Sequence, residues 1–163
     1  MISFFATSIR PQLWDAFYAS VTLSTSRPFE VVFTSPCDPL ATLPSNFRII
    51  KTGVKPAQAL EAAARACRGE MIMPITDDLI YAAGTVDIMA DIVEKCEHVL
   101  PSAHYVRGDN DSCGVCHTLG AVWRPGMTPL CPLMLASDWK NAGGTDPCFC
   151  SSYGQDDLIV RLQ

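Results

Sequence analysis

The sequence predicts a single compact α/β domain built on a mixed, mostly parallel sheet flanked by helices. Three observations carry that expectation. Apolar β-forming runs alternate with helical stretches in the order β-α-β-β-α-β-α up to residue 97, the pattern of parallel strands joined by crossover helices. The 163 residues are enough for one real core. Hydrophobic residues make up 48% and charged residues 18%, the composition of a folding chain rather than a disordered one. No repeat, linker or low-complexity tract interrupts it, so residues 1–163 read as one domain.

The elements follow in order. Residues 2–9 are apolar with β-formers and close at Arg10-Pro11, a strand and its loop. Over residues 11–24, Leu13, Trp14, Phe17, Tyr18 and Val21 fall near one face of an amphipathic helix, with Pro11 suited to its first turn. Residues 29–34 form a short buried strand closed by Ser35-Pro36-Cys37-Asp38-Pro39, and residues 46–51 form another. Residues 56–68 are Ala-rich with no internal breaker, a helix ended by Gly69. Met71 to Ile75 is an apolar strand that runs straight into Thr76-Asp77-Asp78. Residues 85–97 form a further helix with Val86, Met89, Ala90 and Val93 on one face. From 101 to 152 the pattern loosens, with short strand candidates at 102–106, 116–123 and 133–136. Asp156 and Asp157 then open a short terminal helix, where acidic residues suit the helix dipole.

Charge and composition exclude several classes. A net charge of −5 with scattered Lys and Arg argues against a nucleic-acid grip. No apolar run approaches the roughly 20 residues that cross a bilayer. The opening Met1 to Pro11 has no basic region and reads as a first strand rather than a signal peptide, which makes cytoplasmic residence the default expectation. Eight cysteines are many for such a chain; Cys67 and Cys96 lie in helix-like segments and are expected in the core. Cys113-Gly114-Val115-Cys116-His117 fits a haem c attachment pattern by chance. A zinc site from Cys113 and Cys116 with two of Cys131, Cys148, Cys150 or His117 is one alternative, beside buried thiols or a disulfide.

Two acidic pairs dominate the chemistry: Asp77-Asp78 after an apolar strand, and Asp156-Asp157 before Leu158. Neighbouring carboxylates repel by roughly 1–4 kcal/mol at contact distance, so a fold that keeps such pairs at element ends has a use for them in cation binding or proton transfer. In parallel α/β sheets ligands bind off the carboxyl ends of the strands. The loop after residue 9, Asp38 and Asp77-Asp78 all fall at such ends, and they are expected on one edge of the sheet. Plainer readings stand beside these: a solvated turn or N-cap for Asp77-Asp78, helix-start acids for Asp156 and Asp157, an Asx turn for Asp38 before Pro39, and a surface charge for Arg10.

These motifs together resemble nucleotide-sugar-dependent glycosyltransferases of the GT-A fold, closest to family 2 and its relatives. The resemblance spans most of the chain: an opening strand with a polar loop, an acid after the second strand, and Thr76-Asp77-Asp78 after the fourth. A terminal block completes it, Trp139 to Asp146 with Gly143-Gly144, then Tyr153-Gly154-Gln155-Asp156-Asp157-Leu158. It departs from the family at Gln155, where a Glu is usual, and at Thr145, where an aromatic is usual; it also ends just beyond the second acidic motif.

The resemblance implies a Rossmann-like domain with a nucleotide-binding half at 1–100 and an acceptor and catalytic half at 101–163. It implies a small inverting glycosyltransferase using a UDP- or GDP-sugar, an unknown hydroxyl acceptor, and Mn²⁺ or Mg²⁺. Asp78 is then the metal ligand with Asp77 assisting or near the ribose, and Asp38 accepts from the nucleobase. Thr7, Ser8 and Arg10 border the nucleotide with Thr76. Gly143, Gly144 and Asp146 shape the donor-sugar pocket, and Gln155 hydrogen-bonds a sugar hydroxyl. Asp156 is the catalytic base, with Asp157 in reserve. Two alternatives remain: a non-catalytic nucleotide-sugar-binding or partner-subunit module, and a nucleotidyltransferase, against which stands the lack of a Gly-rich, Arg/Lys-bearing phosphate loop after the first strand. The small size leaves room for a homo-oligomer or partner subunit to complete the acceptor surface.

Overall fold

A computed structural model describes residues 1–97, 99–105, 116–117, 130–146, 148–149 and 154–162. The strands are β1 (Ile2–Thr7), β2 (Phe29–Ser35), β3 (Phe47–Lys51), β4 (Met71–Pro74), β5 (His104–Tyr105), β6 (Cys116–His117) and β7 (Met134–Leu135). The helices are α1 (Trp14–Ser24), α2 (Pro56–Ala66), α3 (Thr85–Lys95), α4 (Ala136–Asn141) and α5 (Gly154–Arg161).

Five strands form one sheet in the order β3-β2-β1-β4-β7. β1 pairs in parallel with both β2 and β4, β2 pairs in parallel with β3, and only β7 runs antiparallel, against β4. This is a mixed, mostly parallel α/β sheet of Rossmann-like type. β5 and β6 pair separately as a short antiparallel ribbon.

The register explains why the strands carry apolar residues at adjacent as well as alternate positions. Ile2, Phe4 and Ala6 of β1, Val31 and Phe33 of β2, and Met71 and Met73 of β4 face one core with α1 and α3, through Trp14, Phe17, Val21, Val86, Met89 and Ala90. Their neighbours Phe5, Val32 and Ile72 face a second core with Ala63 of α2, Trp139 of α4 and Leu158 of α5. A sheet covered on both faces buries both sets of alternating side chains. Aromatic edges lock each layer: Phe4 meets Phe17 at 6.5 Å and Phe5 meets Trp139 at 5.0 Å between ring centroids.

Several expectations are refined. Pro11–Leu13 is a turn of 3-10 helix before α1, in keeping with a ring that fixes φ and lacks an N–H. The strand expected at 133–136 is two residues long, and from Ala136 the chain turns into the helix α4. Cys96 does not belong to the core: it lies just past the last turn of α3, exposed. Cys67 lies just past α2, half-buried against the second core. Most of the strand expected at 116–123 falls outside the described residues, as do Cys113 and Cys150. Among the described residues, no helix is long and apolar enough to cross a membrane.

Candidate active site

The strand order places a junction at the centre of the sheet. From β1 the chain moves to β2 and β3 on one side, then crosses back through α2 to β4 on the other side of β1. The carboxyl ends of β1 and β4 therefore flank a switch in winding direction, the place where open α/β sheets leave a crevice. The loops leaving these two strands carry Ser8 to Arg10 and Thr76 to Asp78.

Those loops are tied by charge. The Arg10 guanidinium donates from Nη2 to Asp77 Oδ1 and from Nη1 to Asp78 Oδ2, the latter at 3.1 Å. Asp77 is buried, with its side chain 3% exposed, whereas that of Asp78 is 49% exposed. Ser8 Oγ donates to the other oxygen of Asp77 and itself accepts the Trp14 indole N–H at 2.7 Å. Both oxygens of the buried Asp77 carboxylate therefore have hydrogen-bond partners. Trp14, fully buried at the start of α1, holds Ser8 in place.

The two carboxylates are thus differentiated. Asp77 serves the internal network and Asp78 faces outward. Burial pushes the Asp78 carboxyl up, but hydrogen bonds from the Thr76 hydroxyl and Arg10 outweigh it, so its pKa lies below the ordinary carboxylate value. The Asp77 hydrogen bond raises the Arg10 pKa further from neutrality. An ionised, outward carboxylate at a strand end is a hard oxygen donor. A Mg²⁺ or Mn²⁺ ion in a phosphate-binding site takes one or two protein carboxylates, with phosphate and water completing its shell. Of the pair, Asp78 is the one that could offer an oxygen to such an ion, since both oxygens of Asp77 are taken by Ser8 and Arg10. Among the described residues, no group of three or more metal-ligating side chains is assembled.

Asp38 lies at the same edge, one strand over. Its side chain is 85% exposed and ion-paired with Lys51 at the end of β3. Cys37 Sγ reaches Ile9 O at 3.7 Å, which links the loops after β2 and β1. Thr7 ends β1 in register with Thr34.

A second group forms at the C-terminal side. Gly143 and Gly144, at φ of 86° and 70°, make the turn out of α4. The Glu61 carboxylate of α2 accepts the Thr145 backbone N–H at 2.9 Å and the Trp139 indole N–H at 3.2 Å. A Cβ on Gly144 would run into that carboxylate. Arg161 of α5 donates to the carbonyls of Ala142 and Gly144, the second at 2.8 Å, and pairs with Asp157 one turn earlier at 2.7 Å. Asp146 accepts the Cys148 backbone N–H at 2.8 Å, which holds its pKa below the ordinary value. Asp156 and Gln155 lie in the first turn of α5, and their side chains are outside the described residues. The two groups share no hydrogen bond or ion pair among the described residues. The sequence places Trp14 on the apolar face of its helix but gives no sign of its bond to Ser8, and it marks neither Glu61 nor Arg161; an acid and a base on helix faces carry no local mark of a tertiary partner.

No protein-family profile matches the chain, and no curated protein matches it. Solved structures do. Residues 1–349 of S. aureus TarS superpose with a TM-score of 0.66 at 13% identity, covering 99% of this chain and 54% of that one. The bifunctional IspDF of Campylobacter jejuni superposes with a TM-score of 0.56 at 16% identity, covering 98% of this chain and 46% of that one. The chain therefore spans about half the length of the structures it resembles. These likenesses establish the fold, which is GT-A-like.

Proposed function

We propose that this chain is a metal-assisted, inverting glycosyltransferase domain that moves a sugar from a UDP- or GDP-linked donor to a hydroxyl acceptor. The carrying observation is the Arg10–Asp77–Asp78 clasp across the junction of β1 and β4, on a chain that a GT-A-like fold covers almost completely. The clasp offers what a nucleoside diphosphate requires. A guanidinium fork recognises phosphate oxygens, and the outward Asp78 is suited to hold a divalent cation against them. When bound, that cation would neutralise charge growing on the departing diphosphate. Asp38, exposed one strand over, leaves room for a nucleobase. Asp156 would take the proton from the attacking hydroxyl.

Nucleotidyl transfer is the second reading, favoured by the likeness to IspDF and by a phosphate-suited arginine, Arg10, in the loop that leaves β1. The two readings differ in the leaving group. Incubation with Mn²⁺ and a panel of nucleotide sugars should release nucleoside diphosphate. Incubation with nucleoside triphosphates and sugar phosphates should release no pyrophosphate. Pyrophosphate in the second arm, with no diphosphate in the first, would favour the nucleotidyltransferase.

A further inference from the structure

We propose that Glu61, Arg161 and Asp157 form a latch that positions the donor-sugar turn and α5, and that Asp157 acts through Arg161 rather than as the proton acceptor. The proposal rests on the transferase reading above. The turn at Ala142–Thr145 has irregular backbone, and its polar groups are gripped from two sides by opposite charges. On one side the Glu61 carboxylate takes the Thr145 N–H at 2.9 Å and the Trp139 indole N–H at 3.2 Å, with Arg65 Nε at 2.7 Å steadying it. On the other, Arg161 spreads its fork over the carbonyls of Ala142 and Gly144. An anion meets N–H groups and a cation meets carbonyls, so each hydrogen bond is charge-assisted.

Asp157 completes the latch. Its Oδ2 accepts Arg161 Nε at 2.9 Å and lies 2.7 Å from Nη2. An ion pair between residues one helical turn apart is ordinarily a surface feature of little consequence. This one differs because its arginine also reaches the backbone of another segment, and because Leu158 beside it is fully buried in the core shared with Trp139. A general base needs a carboxylate within reach of the acceptor hydroxyl, whereas the Asp157 carboxylate is engaged with a guanidinium. The latch joins α2, the turn leading to Asp146, and the helix whose first turn contains Asp156. Small displacements at a reacting centre cost about 100-fold in rate, so loosening the latch should slow turnover without removing a proton acceptor.

The test compares wild type with Asp157→Asn, Arg161→Met, Arg161→Lys, Glu61→Gln and the Asp157→Asn/Arg161→Met double variant. Two quantities are read: transfer kinetics across pH, and amide hydrogen exchange at residues 142–146. The expected result is a fall in kcat of about 10- to 100-fold in Asp157→Asn and in Arg161→Met, with donor KM nearly unchanged and the acid limb of the pH profile retained. Arg161→Lys should recover part of the rate, and the double variant should be no slower than Arg161→Met alone. Exchange at 142–146 should quicken in Arg161→Met and Glu61→Gln; Arg161→Lys supplies this readout if Arg161→Met does not fold. Abolished turnover with loss of the acid limb in Asp157→Asn would make Asp157 the base and overturn the proposal. So would wild-type rates with unchanged exchange. If the wild type transferred no sugar at all, the transferase reading would fail separately, and unchanged exchange in the variants would still overturn the latch.

Discussion

Arg10 and Asp77 stand 67 residues apart in the chain and meet as an ion pair across the junction of β1 and β4. One partner is buried and the other half-exposed, with side-chain exposures of 3% and 42%. Asp77 thus depends on Arg10 for its charge balance, and Arg10 retains access to solvent and to an incoming anion.

Replacing Arg10 with Leu strands the buried Asp77 carboxylate. Breaking a buried pair from one side costs about 3–5 kcal/mol, and the exposure of Arg10 reduces this to about 2–3 kcal/mol. Urea unfolding should show that loss, and adding Asp77→Asn to Arg10→Leu should restore part of it. An unchanged midpoint in Arg10→Leu would mean that Ser8 alone satisfies Asp77.

Glu30 makes the fold acid-sensitive. It is buried at the amino end of β2, where Ser3 Oγ, the Arg68 N–H and Arg48 Nη2 all donate to it, at 2.7, 2.6 and 2.8 Å. Burial pushes its carboxyl up, but these donors outweigh burial and hold its pKa below the ordinary 4.5. A depressed folded-state pKa contributes stability that is complete above the unfolded value and fades as pH falls through the folded one. Glu30→Gln should be about 2–3 kcal/mol less stable than wild type at neutral pH, and the gap should narrow as the pH drops below the ordinary carboxylate value. Melting both proteins over an acid series checks this; a gap independent of pH would contradict it.

Gly143 and Gly144 should differ in their tolerance of a methyl group. Both have positive φ, which costs an alanine about 1–2 kcal/mol. At Gly143 the nearest atom to a new Cβ is Arg161 Nη1 at 3.6 Å, an ordinary contact, so little is added. At Gly144 the methyl displaces Glu61 from its hydrogen bonds, which adds about 1–2 kcal/mol. Gly144→Ala should therefore melt below Gly143→Ala, and equal melting temperatures would argue that Glu61 moves aside freely.

Thiol reactivity should separate Cys67 from Cys96. Burial, with help from nearby Glu30, pushes the Cys67 thiol up to about 12. Cys96 is exposed. Because the thiolate is the nucleophile, alkylation of the native protein near neutral pH should label Cys96 and spare Cys67, as peptide mapping would show. Prompt labelling of Cys67 would indicate local opening at the end of α2.

The alternating layers were legible because burial leaves a local signature. Phe4 and Phe5 point to opposite cores, so β1 reads as a mostly apolar stretch broken by Ser3, and α3 has its apolar stripe at Val86, Met89 and Ala90. α4 was not legible: it is six residues long, mostly polar, and held by Trp139 rather than by a repeating face. Cys96 departs from the core expected of it because it lies one position past the last turn of α3, where the chain turns outward. At the site, Asp77 and Asp78 could be recognised as a pair but not told apart. Only the strand order, which sets β4 beside β1, brings Arg10 and Ser8 to them and makes one carboxylate internal and the other outward. Glu61 carried no sequence signal for the same reason: its partners at Thr145 and Trp139 lie far along the chain.

The most direct measurement follows donor binding and sugar transfer side by side in wild type, Asp78→Ala and Asp156→Asn, with Mn²⁺ and the nucleotide sugar that the wild type accepts. Asp78→Ala should lose both, while Asp156→Asn should bind donor as wild type does and transfer nothing. Wild-type transfer by Asp156→Asn, or donor binding by Asp78→Ala that is as tight and as metal-dependent as in the wild type, would contradict the proposed function.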